Sequence, residues 1–289
     1  MPSSTVDTHA FSLASARAAG LPGHRLRTGA FVHLSRDVYL AAPLADDLCA
    51  RCDALTLVMP EGARFSHQTA AALYGAPVAA GTVPIHVSVP AGVVVPRRRP
   101  GLVTHQRVLE GPPVLLGGLP VTAPEQVFLD LSPVLGPRSR VVLGDYLVNA
   151  LTDPGAIAQY LRERPRTRGI VAAREALGLV RVGAKSPQET LLRLHIVEAG
   201  LPEPEVNRPA FDAAGGWLGE PDLGYFEQLI AVQYDGDIHR TNPRRWRQDI
   251  ARDEGFRDAG WLVLRATADD VARPARFVSR LGRHLKERS

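Results

Sequence analysis

Lysine is scarce in this sequence, because Lys185 and Lys286 are the only two among 34 strongly basic residues. Nearly all strong cations are therefore arginines, which bind phosphate through a planar fork of donors. This bias fits a nucleic-acid ligand. A genome rich in G and C would produce the same bias, since its codons favour Arg, Ala, Gly and Pro together. The net charge of +4 does not decide between the two interpretations.

Cysteine is equally scarce. Cys49 and Cys52 form a lone C-A-R-C motif, and no second pair of ligands follows at a spacing suited to zinc. The pattern therefore argues against a zinc finger of the cysteine type and against a disulfide framework. It predicts two reduced side chains, three residues apart on a helix.

Long apolar runs are also missing. None approaches the roughly 18 residues that span a bilayer, and no basic segment followed by an apolar stretch indicates a secretory signal. We therefore expect a soluble, cytoplasmic protein without a membrane partner. What is present is a globular composition, 45% apolar and 22% charged. At about 100–200 residues per domain, the length of 289 residues predicts two domains, or one domain with a substantial arm.

The pattern between Phe11 and Ala41 predicts two short helices followed by a β-hairpin. Helical spacing of apolar residues begins at Phe11 and ends near Gly20, and Pro22 suits the first turn of a second helix. Alternation then predicts two strands around a turn at Ser35–Asp37. This order matches a small winged helix-turn-helix, although the same unit is common in proteins that bind no DNA.

Between residues 46 and 182 the periodicity changes from helical to alternating and back. The predicted strands cover 84–90 and 101–108, and the predicted helices cover 46–59, 66–75, a segment from about 123, 138–151, 154–162 and 169–179. Gly183 and Pro187 mark a linker in "VRVGAKSPQE". The predicted regions are residues 1–80 (winged-helix-like), 81–182 (a middle α/β region) and 186–289.

The last region alternates helices and strands. The pattern predicts, in order, a helix over 187–199, a strand near 205–211, a strand ending at Asp222, a strand over 229–236, a helix over 243–259, a strand over 261–267 and a final helix. This order predicts an α/β sandwich built on a mixed sheet, so the fold class of the whole chain is α/β or α+β.

Polar residues cluster where two of these strands end. Asp222 is predicted to end one strand, and Gln233 and Asp235 lie two apart on the next, so they share a face. His239 follows, and Asp249 lies in the next helix. Clustered carboxylates at a buried strand are costly unless a cation neutralises them, and oxygen ligands suit Mg²⁺ or Mn²⁺. Either aspartate alone could instead cap a turn that contains glycine.

Two segments, "EPDLGYFEQLIAVQYDGDIHR" and "RQDIARDEGFRDAGWLVLRAT", resemble the PD-(D/E)XK nuclease superfamily. Within it, they are most similar to the very-short-patch-repair endonucleases and the related DUF559 domain. The resemblance covers Ser186 to Leu285 and implies a fold of the restriction-endonuclease type. Glu189, on the first helix, matches an acidic residue found there in such folds.

The resemblance also implies roles for the clustered residues. Asp222 would be the principal metal ligand, and Asp235 or the side chain of Gln233 would complete the site. His239 would act on the attacking water or the leaving group, and Asp249 would orient a histidine or another polar partner. A bound metal polarises the scissile phosphate and lowers the pKa of a water molecule. The expected activity is hydrolysis of a phosphodiester bond in DNA.

The sequence departs from this superfamily at the second strand, which has Gln233-Tyr234-Asp235 where Glu or Asp and then Lys are usual. Glutamine can offer an oxygen to a metal but brings no charge, so metal binding should be weaker. The departure leaves two interpretations open, an active nuclease and a nuclease fold that is kept only to bind DNA.

The first half of the chain resembles the AbiEi family of type IV antitoxins through "HRLRTGAFVHLSRDVYLA", "SHQTAAALYGAP", "IHVSVP" and "GLPVTAPEQVFLDL". This resemblance implies DNA binding through the second helix, with Arg25 and Arg27 nearest to the DNA and Arg36 on the wing as a phosphate contact. The winged helix could instead serve protein contacts. Ser66 and His67 are interpreted as the cap of a helix.

Together these patterns predict a DNA-binding protein with an endonuclease-like domain that depends on Mg²⁺ or Mn²⁺. The alternative is an antitoxin-like regulator with a catalytically silent nuclease fold, whose partners would be an operator or a cognate toxin gene. A third interpretation is a protein that uses both halves only for assembly.

Overall fold

A computed structural model describes residues 10–20, 22–23, 26, 28–77, 84–93, 101–236 and 252–289. The chain forms two compact units, residues 1–134 with 160–170, and residues 135–159 with 171–289. The three regions predicted from the sequence stay a prediction.

The first unit begins with a three-stranded antiparallel sheet in the order β1-β3-β2. Its elements are β1 (Ala10–Ser12), α1 (Leu13–Ala18), β2 (Phe31–Ser35) and β3 (Val38–Ala41). The predicted hairpin is present as β2 and β3. Phe11, however, lies in a strand and not in the predicted helix, because its ring packs edge-on against Phe31 and stacks on Tyr39. The winged-helix architecture stays a prediction.

A five-stranded mixed sheet in the order β6-β5-β4-β8-β7 forms the rest of this unit. Its strands are β4 (Arg64–Phe65), β5 (Ile85–Pro90), β6 (Leu102–Arg107), β7 (Val114–Leu116) and β8 (Leu119–Val121), and the helices are α2 (Leu48–Thr56), α3 (His67–Leu73) and α4 (Pro124–Leu131). β5 pairs in parallel with β6, and β4 with β8. Phe65, Val87, Val121 and Phe128 are buried between the sheet and its helices.

Helices dominate the second unit. They are α5 (Pro137–Ala150), α6 (Pro154–Arg162, within which the division between the units falls), α7 (Ile170–Leu179), α8 (Pro187–Glu198), α9 (described over 252–258), α10 (Ala268–Ala272) and α11 (Ala275–Glu287). On α11, Phe277, Leu281 and Leu285 recur every four residues and are buried, so one stripe of this helix faces the core.

A four-stranded sheet in the order β14-β13-β12-β9 forms the centre of the second unit. Its strands are β9 (Glu205–Val206), β12 (Leu223–Tyr225), β13 (Ile230–Asp235) and β14 (Leu262–Thr267), and a separate ribbon consists of β10 (Ala210–Phe211) and β11 (Trp217–Gly219). β13 and β14 are parallel and the other pairs are antiparallel. Val232 faces the core that contains Phe277, whereas Ala231 faces Phe256 and Trp261. The predicted mixed α/β class is confirmed.

The strand that was predicted to end at Asp222 is different in the structure. It is divided into β11 and β12, and Asp222 immediately precedes β12 instead of ending a strand. Pro221 explains the interruption, because a proline cannot donate a ladder hydrogen bond. Within the described residues, no helix has both the length and the apolarity to cross a membrane. The nuclease-like architecture stays a prediction.

Candidate functional site

Two polar side chains of the second unit oppose each other at β12 and β13. The antiparallel register pairs Leu223 with Val232, which places Asp222 opposite Gln233. Both residues lie on the face of the sheet that carries Ala231, because side chains alternate along a strand. The register therefore brings together two of the residues that the sequence pattern selected.

Asp222 is a partly buried carboxylate with an unusual pKa. Burial raises its pKa to about 6, the N–H of Tyr234 lowers it by donating to Oδ2 at 2.6 Å, and the charge of Glu189 raises it. The positive charges of Arg252 and Lys185 lower the pKa by smaller amounts. The carboxylate is therefore mostly ionised at neutral pH, but at a cost that a bound cation would remove.

Gln233 is 4% exposed, and its Nε2 atom has no hydrogen-bond partner among the described residues. A buried polar group without a partner costs about 1–3 kcal/mol. The amide can rotate to present its oxygen to a metal or its nitrogen to a phosphate oxygen. The structure thus leaves one buried hydrogen-bonding group available beside Asp222.

Asp235 lies on the same face of β13 as Gln233, about 6.6 Å farther along the strand. Its carboxylate is 3.5 Å from the guanidinium of Arg265, which stands beside Gln233 in the parallel register of β13 and β14. Arg265 also donates twice to Asp253 on α9. Arg265 was missed in the sequence, because only the pairing of β13 with β14 shows that it lies beside this site.

Glu189 is 6% exposed and both of its carboxylate oxygens accept hydrogen bonds. Oε1 accepts from Ser186 Oγ at 2.8 Å, and Oε2 accepts from the N–H of Lys185 at 2.9 Å and from Asn207 Nδ2 at 2.6 Å. Ser186 in turn caps the start of α8. Glu189 therefore stabilises the first turn of α8, and its negative charge raises the pKa of Asp222. A catalytic role for it stays a prediction.

Asn207 connects these two acidic residues and was also missed. Its side chain donates to Glu189 and to the carbonyl of Gly183, and its N–H donates to the backbone carbonyl of Asp222 at 3.1 Å. Its φ of 46° lies in the left-handed region, which asparagine adopts more readily than most residues. Nothing in the sequence alone marks Asn207, because its partners Gly183, Glu189 and Asp222 lie 15 or more residues away along the chain.

Several residues selected from the sequence lie outside the described residues. They are His239, Asp249, Arg25 and Arg27. Arg36 is described, and its side chain is 76% exposed in the turn between β2 and β3, 3.9 Å from the carboxylate of Asp37. Its position on the surface of the hairpin is compatible with contact to a phosphate.

A second polar cluster lies in the first unit and consists of His67, His86 and His105. One ligand atom of each lies within 4.8 Å of the others. This cluster was not predicted from the sequence, in which His67 was interpreted only as part of a helix cap. Ser66 does occupy the N-cap position, but its side chain makes no capping hydrogen bond and contacts His67 Nδ1 at 3.0 Å instead.

The signal for the histidine cluster was present but weak. His86 and His105 occupy strands that the alternation predicted, but nothing in one sequence shows that β5 and β6 pair in parallel. The observed register pairs Ser88 with His105 and His86 with Val103, so the two histidines lie diagonally on one face. α3 then brings the third imidazole to them.

Two proteins of Mycobacterium tuberculosis are similar to this chain over most of its length. They are "Uncharacterized protein MT2308" of strain CDC 1551 / Oshkosh and "Uncharacterized protein Rv2248" of strain ATCC 25618 / H37Rv. Each is 33% identical over 265 residues, which cover 90% of this chain and 94% of the relative. The unmatched tenth is shorter than either unit, so the similarity extends into both. No family model matches the chain.

Proposed function

We propose, for a chain that belongs to one family with these two mycobacterial proteins, that its second unit acts on DNA phosphodiester bonds with the help of a divalent metal ion. The observation that carries this proposal is the placement of a partly buried carboxylate, Asp222, opposite a buried amide, Gln233, whose nitrogen has no partner among the described residues. Among the described residues no protein group completes this pair, and a bound metal or phosphate would do so.

The donors present fit Mg²⁺ or Mn²⁺. Mg²⁺ is commonly held by one or two carboxylates, several waters and the phosphates of its substrate. Asp222 supplies the carboxylate, and Gln233 supplies an amide oxygen or a donor to a phosphate. Asp235 is a further candidate, although Arg265 already compensates much of its charge. When bound, the metal would polarise the phosphate and acidify a water molecule.

Residues of the chain would perform the remaining tasks. Arg252 and Lys185 lie close enough to lower the pKa of Asp222, so they would also attract the negative charge of a DNA backbone. We assign His239 to proton transfer with the attacking water or the leaving group, and Asp249 to its orientation, as the nuclease resemblance implies. A DNA substrate would place this function in the cytoplasm.

The test is cleavage of supercoiled plasmid and of mismatched duplexes by the full chain with Mg²⁺ or Mn²⁺. We expect nicking that a chelator abolishes and that Asp222→Asn reduces by at least about 100-fold, because loss of an outer partner of a metal already costs about 10–100-fold. Gln233→Glu should increase cleavage, since it adds a charged ligand. The matched control is Asp258→Asn, which makes the same change on an exposed carboxylate.

Cleavage that persists in Asp222→Asn, or that continues in the presence of a chelator, would contradict the proposal. Wild-type protein that binds DNA without cutting, combined with activity in Gln233→Glu, would indicate a nuclease fold kept for binding. The compensation of Asp235 by Arg265 and the full hydrogen bonding of Glu189 favour this second candidate, because they leave few free charges for a metal.

The second candidate is an antitoxin-like regulator, and it makes its own prediction. Arg25→Ala and Arg27→Ala should weaken DNA binding in a mobility-shift assay without metal, and each loss of a phosphate contact should reduce the salt dependence of binding by about one unit of slope. Binding that is insensitive to both arginines would remove this candidate.

A further inference from the structure

Three imidazoles of the first unit converge although they come from three elements. His67 begins α3, His86 lies on β5 and His105 lies on β6. The Nδ1 atom of His86 and the Nε2 atom of His105 are 3.0 Å apart, and the ring of His67 stacks on that of His105 at 3.7 Å. The three ligand atoms fall within 4.8 Å of one another.

These separations are close to those of a metal site. With zinc–nitrogen distances of about 2.0–2.1 Å, two imidazole nitrogens on a tetrahedral ion lie about 3.3 Å apart. His86 Nδ1 and His105 Nε2 are joined by one hydrogen bond at 3.0 Å. A metal would fit between them after a small widening, once the donor ring moves its proton to its other nitrogen. The stacked ring of His67 would have to tilt so that its nitrogen points to the same ion.

The backbone at His67 is held in an unfavourable conformation. Its φ is 52°, in the left-handed region that costs a residue other than glycine about 1–3 kcal/mol. A side chain that merely capped a helix would not need this conformation. The strain, together with the contact from Ser66 Oγ, orients the imidazole toward the other two histidines.

The carboxylate of Asp130 lies next to the histidine cluster, beside His67. Asp130 Oδ2 lies 3.5 Å from His67 Nδ1, and Asp130 also forms an ion pair with Arg107. Histidines that bind a metal usually direct their second ring nitrogen to a carboxylate, which fixes the ring. Because Arg107 already compensates its charge, Asp130 suits this outer position better than direct coordination.

We propose that His67, His86 and His105 form a binding site for a divalent transition-metal ion of the zinc type, with Asp130 supporting His67 and the fourth coordination position left to water or a small anion. Imidazole ligands favour Zn²⁺, Cu²⁺ and Ni²⁺ over Mg²⁺. This site is therefore separate in chemistry from the oxygen-rich pair at Asp222, and it does not depend on the proposed nuclease.

The electrostatics of the cluster agree with this assignment. Burial, together with neighbouring positive groups, lowers the pKa of His67 to about 2 and that of His105 to about 4, and burial lowers the pKa of His86. All three rings are neutral at neutral pH, which is the form that ligates metals. Metal binding would therefore release no proton to the solvent, because each ring can keep its one proton on the nitrogen that does not bind the metal.

The experiment uses the full chain without a polyhistidine tag, stripped with a chelator. Titration with Co²⁺ should give the visible absorption of a tetrahedral cobalt site at one equivalent, and calorimetry with Zn²⁺ should give the same stoichiometry. His86→Gln and His105→Gln should each weaken binding by more than about 100-fold, and Asp130→Asn by about 10–100-fold. Zn²⁺ should also raise the Tm of the wild-type protein.

The controls are His33→Gln, an exposed histidine of the same unit, and Asp222→Asn. Both should bind Zn²⁺ like the wild type, and the second control separates this site from the proposed nuclease. Each variant is required to unfold cooperatively without metal, and Asp130→Asn gives a second readout because it retains all three ligands. Absence of stoichiometric binding by the wild type, binding that survives both histidine changes, or loss of binding in either control would overturn the proposal.

Discussion

Two buried polar regions of the second unit differ in the number of hydrogen bonds that their side chains make. Arg193 is fully buried, and its terminal nitrogens donate to Asp145 at 3.0 Å, to Glu203 at 2.9 Å and to the carbonyl of Leu179, whereas its Nε atom has no partner among the described residues. Asp145 accepts in addition from Thr190. This Arg193 network connects α5 and α8 with each other, with the end of α7 at Leu179 and with Glu203 in the segment after α8.

The pair of Asp222 and Gln233 is bonded far less completely. Asp222 Oδ2 accepts one backbone hydrogen bond, and Gln233 Nε2 has no partner among the described residues. Burial of charge is therefore a poor marker of function on its own, since the Arg193 network is the more deeply buried. One unpartnered atom does not distinguish the two regions, because Arg193 Nε lacks a partner as Gln233 Nε2 does. The difference lies in the number of hydrogen bonds, which is large in the Arg193 network and small at the site proposed for a ligand.

The largest effect should come from breaking the Arg193 network. Asp145→Asn removes the carboxylate that neutralises a buried guanidinium, so we expect a loss of about 3–5 kcal/mol in the free energy of unfolding. Urea unfolding followed by circular dichroism measures it. We expect this variant to lose stability without any direct effect on the metal site that we propose at Asp222.

The matched control is Arg273→Gln, because Arg273 and Asp269 form an ion pair whose side chains are about 80% exposed. Its effect should stay within about 0.5 kcal/mol. A loss for Asp145→Asn as small as that of the control would mean that the buried network contributes no more than a surface pair, and the comparison would fail.

A smaller effect should appear in the pH dependence of stability. The pKa of Asp222 is raised to about 6 in the folded chain from a usual 3.8, so the folded state binds more protons between these values. The contribution of this group is fully present below about pH 4 and is lost as the pH rises through 6, by about 3 kcal/mol. The difference in stability between wild type and Asp222→Asn, measured from pH 4 to 7, should show this slope.

The histidine cluster changes stability with pH in the opposite direction. The quantity to measure is therefore the difference in the free energy of unfolding between the wild type and Asp222→Asn. His67 and His105 have lowered pKa values in the folded chain, so their contribution is lost as the pH falls below their usual value of 6.5. A difference curve that is flat between pH 4 and 7 would show that Asp222 is not desolvated as the structure indicates.

Local patterns were sufficient for much of the fold. Helices α5 to α8 begin and end within one residue of the predicted helices over 138–151, 154–162, 169–179 and 187–199. The shared face of Gln233 and Asp235 follows from strand alternation alone. These features depend on neighbours within a few residues, which a single sequence contains.

The remainder depends on pairing between distant segments. The position of Arg265 beside Gln233 requires the parallel pairing of β13 with β14, and the meeting of His86 with His105 requires that of β5 with β6. Asp222 was assigned to the wrong end of a strand because Pro221 interrupts the predicted run. Register between strands is set by the whole core, and periodicity within one strand does not encode it.

The unpartnered amide of Gln233 can be tested by its removal. Gln233→Met keeps the side-chain volume but removes the unpartnered amide, so the metal-free protein should gain about 1 kcal/mol, part of the cost of a buried unsatisfied group. Gln188→Met, on the partly exposed side of α8, is the control and should change stability by less than about 0.5 kcal/mol.

Gln233→Met should also lose the metal-dependent cleavage that we propose. A protein that becomes more stable as it loses activity would show that Gln233 is kept for a ligand at the expense of the fold. If Gln233→Met instead destabilises the protein by about 1 kcal/mol or more, the amide of Gln233 already has hydrogen-bond partners in the folded chain, and its role is structural like that of Arg193.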